Sequence, residues 1–284
     1  MCIMENIIEI KGLTKKYQNF ALDNVDLVVP MGTVMGFIGE NGAGKSTTIK
    51  AILGLYKRDG GEVKVFGEDS EKLSNETREK IGVVFDTIPY PKNLTVTQLE
   101  KVFSGIYKTW EAEKFFGYMT KFGLPLKKKI SSFSRGMEMR LSIAAALSHN
   151  PSLLVLDEPT GGLDPVMRNE ILDMFLEFMQ DENHSILIST HITSDLEHIA
   201  DYVSFIHKGK IVFTEERNEM LEKYRILKCT DEDIEKMDNN DIIGMRKGRF
   251  CSEVLTDKAE KYPDIVSDKP TIEEIMVYYV KEQS

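Results

Sequence analysis

Eight consecutive residues have the types and spacing of a phosphate-binding loop. They read GENGAGKS at residues 39–46, and they follow an apolar run that predicts a strand and precede a pattern that predicts a helix. Glycines allow the backbone to turn successive N–H groups inward, and the first turn of the helix adds the positive end of its dipole. The stretch therefore predicts a site for nucleotide phosphates, and its context disfavours a chance glycine-rich turn.

Two side chains of this loop have distinct predicted roles. Lys45 is expected to reach the β- and γ-phosphates. The hydroxyl of Ser46 is expected to bind Mg²⁺, which usually takes one or two protein oxygens besides the phosphates. The residues predicted to contact the nucleotide in this segment are Gly39, Asn41, Gly42, Ala43, Gly44, Lys45, Ser46 and Thr47.

A second apolar run, at residues 153–156, leads into two carboxylates, Asp157 and Glu158. Ligands of parallel α/β sheets bind at the carboxyl ends of the strands, so both side chains are expected beside the phosphate loop. There Asp157 would hold Mg²⁺ and Glu158 would act on the attacking water. Two acidic residues that only cap a strand are the competing interpretation, which the phosphate loop disfavours.

The elements around these motifs predict an α/β fold. Apolar runs without polar alternation indicate buried parallel strands, and they lie at residues 33–38, 82–85, 153–156, 186–188 and 202–206. Alternating runs at residues 7–10 and 21–29 predict a small N-terminal antiparallel β subdomain. Residues 94–150 show helical periodicity and predict an inserted helical subdomain.

The chain is expected to divide near residue 215. Residues 1–215 would form the nucleotide-binding domain, and residues 216–284 a small C-terminal accessory α+β region. The accessory region has β-like runs at residues 225–229 and 250–255 and a helical pattern at residues 271–281. A poorly ordered extension is the alternative, which the periodic apolar residues disfavour.

The composition limits the class of protein. Of the 284 residues, 42% are hydrophobic and 29% are charged, which excludes a disordered or collagen-like chain. No apolar run approaches the ~20 residues of a membrane span, and no secretory signal is visible, so we expect the cytosol. The net charge of −10 disfavours a general nucleic-acid partner. Three scattered cysteines (Cys2, Cys229 and Cys251) are interpreted as reduced thiols, and no apolar segment supports a lipid anchor at Cys2.

With Lys45 and Asp157 placed, residues 133–137 resemble the signature of the ATP-binding cassette (ABC) ATPases. They read FSRGM where that family has Leu-Ser-Gly-Gly-Gln, upstream of the acidic strand end. The resemblance covers about residues 7–214 and implies a P-loop NTPase (RecA-like) core that binds ATP. It also implies a head-to-tail dimer, in which Ser134 and the backbone of Gly136 contact the γ-phosphate held by the opposite subunit.

Three further positions resemble the family in chain order. Tyr17 stands where an aromatic ring stacks on adenine, a role open to any flat side chain. Asp164 ends a GGLD segment that resembles the loop joining the two nucleotide sites. His191, which follows the apolar run at residues 186–188, resembles the switch histidine that contacts the γ-phosphate. A lone histidine is more often structural, but here it stands in an ordered set.

Two departures from the family pattern affect the site. Asp86 replaces the glutamine that contacts Mg²⁺, so we expect it to remain an oxygen ligand with shorter reach and added charge. Arg135 replaces a signature glycine and Met137 the signature glutamine. Contact through Ser134 and Gly136 is compatible with both changes.

The resemblance implies an ATP-hydrolysing subunit of an ABC transporter, peripheral on the inner face of the membrane. It would dock through the helical subdomain onto a separate permease and work as a homodimer or heterodimer. The sequence looks most like bacterial ABC subunits that serve exporters of drugs, antimicrobial peptides or related compounds. Three alternatives stay open: an importer subunit, an ABC-type ATPase acting on the ribosome or DNA, and a nucleotide-binding regulator without turnover. The single phosphate loop and the absence of sustained heptads disfavour the second, and Glu158 with His191 disfavours the third.

Overall fold

The computed structural model describes residues 5–282. Its strands are β1 (Asn6–Lys16), β2 (Ala21–Pro30), β3 (Val34–Ile38), β4 (Gly60–Val65), β5 (Glu68–Asp69), β6 (Ile81–Val84), β7 (Leu153–Asp157), β8 (Ser185–Thr190), β9 (Tyr202–His207), β10 (Lys210–Glu216), β11 (Arg225–Cys229), β12 (Gly244–Lys247), β13 (Ser252–Thr256) and β14 (Ser267–Asp268). Its helices are α1 (Lys45–Ile52), α2 (Asn75–Glu79), α3 (Val96–Ile106), α4 (Ala112–Lys121), α5 (Arg135–Leu147), α6 (Pro165–Phe178), α7 (Thr193–Ile199), α8 (Arg217–Lys223), α9 (Asp231–Lys236) and α10 (Ile272–Glu282).

The central sheet has the strand order β10-β9-β3-β8-β7-β6. All neighbours are parallel except β10, which returns antiparallel to β9. Strands β3, β7 and β8 are buried along their whole length, as their continuous apolar runs predict. The register pairs Val84 with Leu156, Leu156 with Ile188, and Ile38 with Thr190. The carboxyl ends of four strands therefore meet at one edge.

A second sheet, with the order β2-β1-β4-β5, is antiparallel and contains the predicted N-terminal strands. Its inward side chains, such as Ile8 and Leu22, share one hydrophobic cluster with Phe37 of β3 and Ile49 of α1. This cluster fixes α1, and with it the end of the phosphate loop, between the two sheets.

Helices α3, α4 and α5 occupy the region predicted to be helical. Thr95 and Gln98 form a reciprocal capping box at the start of α3. Within residues 94–150, which are all described, the β pairing is limited to an isolated bridge between Thr95 and Lys129. Helix α5 packs on β6, so the predicted subdomain is joined directly to the parallel sheet.

The C-terminal residues form a third sheet, with the order β12-β13-β11-β14, and α10 packs on β12 and α7. The sequence indicated β11, β13 and α10 but not β12 or β14, which have four and two residues and too little pattern to detect. Tyr224, Ile226 and Ile272 belong to the same hydrophobic cluster as the parallel sheet. The C-terminal residues thus pack against the core rather than standing apart.

Two observations concern the membrane and the thiols. Among residues 5–282, none of the helices combines the length and apolar character needed to cross a bilayer. Cys229 and Cys251 are free thiols, the first buried and the second half-buried. Cys2 lies outside the described residues.

Candidate nucleotide site

The phosphate loop joins the end of β3 to the start of α1. Gly39 is buried, and a Cβ atom there would overlap the carbonyl oxygen of Ile206. Gly44 has φ of +120°, and a Cβ atom there would lie 2.6 Å from Cδ2 of Leu22. These two positions therefore require glycine, one for space and the other also for its backbone conformation.

Lys45 is 6% exposed and bridges two segments of the site. Its Nζ atom donates a hydrogen bond of 2.6 Å to the carbonyl oxygen of Gly39 and lies 3.4 Å from Oε1 of Glu158. A buried ammonium is stable only where oxygen atoms surround it. Lys45 is thus held at the junction of β3 and β7, where it can attract phosphate oxygens.

Glu158 follows β7 with a positive φ of 54°, a backbone region that residues with a Cβ atom rarely adopt and that is enriched at functional sites. Its Oε2 atom lies 2.6 Å from Nδ1 of His191 and also accepts a 3.3 Å hydrogen bond from the His191 backbone N–H. Its Oε1 atom is buried and accepts no hydrogen bond from the part of the chain that the structure describes. His191 therefore holds one carboxylate oxygen, and the other lies beside the Lys45 ammonium.

Asp157 is buried at the last position of β7, and its Oδ1 atom accepts a 2.6 Å hydrogen bond from Oγ of Ser189. Ser46 is exposed in the first turn of α1. Within residues 5–282, no group of three His, Cys, Asp or Glu side chains could hold a metal ion alone. The carboxylate of Asp157 and the hydroxyl of Ser46 fit Mg²⁺, a hard cation that needs few protein oxygens when phosphates complete its coordination shell.

A cleft of about 390 Å³ is lined by half of the predicted residues. Its lining is Phe20, Glu40, Asn41, Gly42, Gly44, Lys45, Ser46, Thr47, Asp86 and Glu158. Gly39 and Ala43 are buried in the same loop, and the amide of Gly209 bonds to the carbonyl oxygen of Ala43. Phe20 and Glu40 were not predicted: Phe20 has no motif around it, and Glu40 occupies a variable position of the loop.

Tyr17 lies near this cleft without lining it. The ring is 49% exposed on the turn between β1 and β2, and it stacks on Phe20 with a centroid separation of 6.4 Å. The Lys15 ammonium lies 5.9 Å from the centroid of the Tyr17 ring. The pair of rings forms an aromatic edge next to the phosphate loop.

Asp157 and His191 lie next to Glu158 without lining this cleft, and Ser134, Gly136 and Asp164 do not line it either. Ser134 is exposed and caps α5, where its hydroxyl accepts a 3.3 Å hydrogen bond from the N–H of Met137. Gly136 is the second residue of α5 and does not line the cleft. Asp164 caps α6, accepting hydrogen bonds of 3.1 Å from the N–H groups of Val166 and Met167. A capping role accounts for Asp164 locally.

Asp86 lines the cleft, but its carboxylate is already paired. Oδ1 of Asp86 accepts a hydrogen bond from Nη2 of Arg135, the first residue of α5. The two departures from the family pattern therefore contact each other.

Comparison with known proteins shows the family of this chain. A family model described as ABC transporter matches residues 22–161, and a second model, described as an AAA domain and putative AbiEii toxin of a Type IV TA system, matches residues 129–194. The chain is 38% identical over 215 residues to the bacitracin transport ATP-binding protein BcrA of Bacillus licheniformis, which covers 74% of this chain and 69% of that protein. It is 35% identical over 240 residues to the lantibiotic transport ATP-binding protein SrtF of Streptococcus pyogenes, with 84% and 98% covered.

Solved structures show the same fold. An ATP-binding subunit of an ABC transporter has a TM-score of 0.69 at 28% identity, covering 76% of this chain and 92% of that one. A dimeric post-hydrolysis state of the cassette MJ0796, bound to ADP and Pi, has a TM-score of 0.65 at 23% identity, covering 74% and 98%, and at that identity it supports the fold alone. The fold is that of the P-loop ATPases. Within that class, the chain belongs to the ABC transporter family of ATP-binding subunits, which bind and hydrolyse ATP.

Proposed function

We propose that this subunit powers the export of an antimicrobial peptide or drug-like compound through a separate membrane permease. The relatives named for bacitracin and lantibiotic transport support this substrate class, and the match spans almost all of SrtF. The observation that carries the ATPase mechanism is the placement of Glu158 between Lys45 and His191 at the end of β7.

The proposed reaction is in-line attack of water on the γ-phosphorus, which forms a P–O bond and breaks the bond to the β–γ bridging oxygen. Oε1 of Glu158 orients the water and accepts its proton, while His191 holds Oε2. Lys45 and the loop N–H groups stabilise the negative charge of the phosphoryl group. Mg²⁺, held by Ser46 and Asp157, would supply further charge neutralisation on the phosphates.

A complete site needs a second cassette in this proposal. Ser134 and Gly136 do not line the cleft of their own chain, yet Ser134 is exposed at the N-terminal end of α5, where N–H groups favour an anion. We propose that these residues, with Asp164, act at the nucleotide of a facing subunit. The facing subunit is either a second copy of this chain or a related cassette.

Three further parts of the chain have proposed roles. The helices within residues 94–150 would dock on the permease at the inner face of the membrane. Residues 216–284 would form an accessory α+β region that braces the core through Tyr224 and Ile272. Tyr17 would stack on adenine beside Phe20.

The test is Mg²⁺-dependent release of phosphate by the purified chain, alone and with the membrane proteins that co-purify with it. We expect turnover that candidate peptides such as bacitracin stimulate when the permease is present. The Glu158→Gln variant with ATP should elute as a dimer, and addition of Ser134→Glu to it should restore the monomer. ATP binding without turnover would favour a regulator, and co-purification with ribosomes instead of a permease would overturn the transport role.

A further inference from the structure

One ion pair joins the nucleotide cleft to the helical region. Asp86 lies just beyond β6 and lines the cleft with Lys45 and Ser46. Arg135 begins α5 and does not line the cleft, but its Nη2 atom donates a hydrogen bond to Oδ1 of Asp86. The side chain of Arg135 thus reaches the cleft through Asp86.

The side chain of Arg135 crosses the loop that follows β7. A Cβ atom built on Gly162 would lie 3.5 Å from Cδ and 3.6 Å from Nε of Arg135. A Cβ atom on Gly161 would lie 3.7 Å from Nη2. The arginine therefore extends over the backbone of these two glycines, where longer side chains would compete for the same space.

The charges around the cleft indicate what the Asp86–Arg135 ion pair does. Three carboxylates, Glu40, Asp86 and Glu158, line the cleft, while Lys45 is the one cationic side chain among the lining residues that the structure describes. A triphosphate is an anion, so an uncompensated Asp86 would oppose its binding. Arg135 neutralises that carboxylate from outside the cleft.

The pair is also easy to exchange. The side chains of Asp86 and Arg135 are 44% and 60% exposed, so water and salt screen their attraction. The carboxylate of Asp86 is a hard oxygen donor of the kind that Mg²⁺ prefers, and it lines the same cleft as Ser46. Asp86 can therefore exchange the guanidinium for a metal ion at little cost.

We propose that Arg135 is a positioning residue that competes with the metal of bound ATP for the carboxylate of Asp86. Arg135 holds Asp86 when no metal is bound, and it releases Asp86 when the metal–ATP complex forms. The release frees the N-terminal end of α5, where Ser134 and Gly136 lie. Each chain thereby couples the occupancy of its own cleft to its signature segment. This inference rests on the proposed Mg²⁺–ATP site.

The test measures the affinity for a fluorescent ATP analogue in excess EDTA, and then the Mg²⁺ concentration that gives half of the added binding. For Arg135→Gln we expect metal-free affinity about threefold to fivefold weaker and a Mg²⁺ midpoint lower by a similar factor, because Asp86 is then unpaired. Asp86→Asn should raise the Mg²⁺ midpoint. In the Asp86→Asn background, Arg135→Gln should have no further effect on either quantity. The single variant Arg135→Lys keeps the positive charge and should behave much like the wild type.

The matched control is Lys92→Gln. Lys92 forms an exposed 2.8 Å ion pair with Glu138 in the first turn of the same helix, and neither residue lines the cleft. This variant should keep the wild-type Mg²⁺ midpoint, and thermal melting should show all variants folded. An unchanged midpoint in Arg135→Gln, or the same shift with and without Asp86, would overturn the competition. Absence of ATP binding by the wild-type chain would instead refute the proposed function.

Discussion

Nδ1 of His191 lies 2.6 Å from Oε2 of Glu158, while Oε1 of the same carboxylate faces the Lys45 ammonium at 3.4 Å. The two oxygens of one side chain therefore have different partners. Lys45 belongs to the phosphate loop and His191 follows β8, so Glu158 connects three segments that are distant in sequence. The proposed mechanism uses this difference, with one oxygen for orientation and one for proton transfer.

Replacement of Glu158 tests its proposed role as the proton acceptor. In Glu158→Gln the amide keeps the size of the side chain but cannot accept the water proton, so the rate of phosphate release should fall by about 10²–10⁴-fold. ATP affinity should stay close to wild type because Lys45 and the loop are retained. The exposed Glu76→Gln in α2 is the control and should leave both quantities unchanged. Turnover within threefold of wild type would remove Glu158 as the base.

His191 should act through Glu158. His191→Ala removes the partner of Oε2, so phosphate release should fall by about 10²-fold or more while the chain stays folded. Because both residues serve one step, the double variant with Glu158→Gln should be no slower than Glu158→Gln alone, as single-turnover kinetics can show. If the two losses in the rate of phosphate release multiply in the double variant, His191 acts independently of Glu158.

The phosphate loop should tolerate no side chain at its first glycine. Gly39→Ala places a methyl group against the carbonyl oxygen of Ile206, so the free energy of unfolding should fall by about 1–3 kcal/mol and ATP binding should weaken. Gly105→Ala is the matched control, because no atom lies within 4 Å of a Cβ there and the residue is within α3. It should be neutral or stabilise the protein by up to about 1 kcal/mol. Urea denaturation and nucleotide titration measure both variants.

Tyr17 should contribute stacking rather than base recognition. Tyr17→Ala should weaken ATP and GTP binding equally, by about tenfold, whereas Tyr17→Phe should retain wild-type affinity because the ring alone provides the contact. A loss of affinity for ATP but not for GTP would indicate that Tyr17 contacts the edge of the adenine base. Unchanged affinity in Tyr17→Ala would leave Phe20, which lines the cleft, as the stacking residue.

His149 should make stability depend on pH. Burial lowers the pKa of His149 to about 4, and its ring stacks on Tyr107 at 4.2 Å while Nδ1 contacts the carbonyl oxygen of Glu79 at 3.1 Å. The unfolded chain therefore binds this proton between about pH 6.5 and 4, whereas the folded chain does not, so stability rises with pH across that window.

The expected size of this effect is about 2 kcal/mol of unfolding free energy lost on going from about pH 7 to about pH 4.5. Urea denaturation at both pH values measures it. His149→Phe retains a flat ring but does not titrate, so its loss across the same interval should be smaller by that amount. Equal losses in the two proteins would show that other groups cause the pH dependence.

The sequence by itself determined the class of site and the main strands. A phosphate loop binds through its own backbone and the helix that follows, so the local pattern at residues 39–46 was enough to predict the phosphate site. Continuous apolar runs identified β3, β7 and β8 because buried parallel strands need apolar residues on both faces. Asp157 and Glu158 were found because they directly follow such a run.

Only the tertiary structure decided which side chains meet across the strand ends. Phe20 was missed because it lines the cleft from a turn between strands, where no periodicity marks it. The pairing of Asp86 with Arg135 joins residues 49 positions apart. Periodicity describes the faces of single elements, whereas such contacts depend on how the sheet register and helix α5 bring separate segments together.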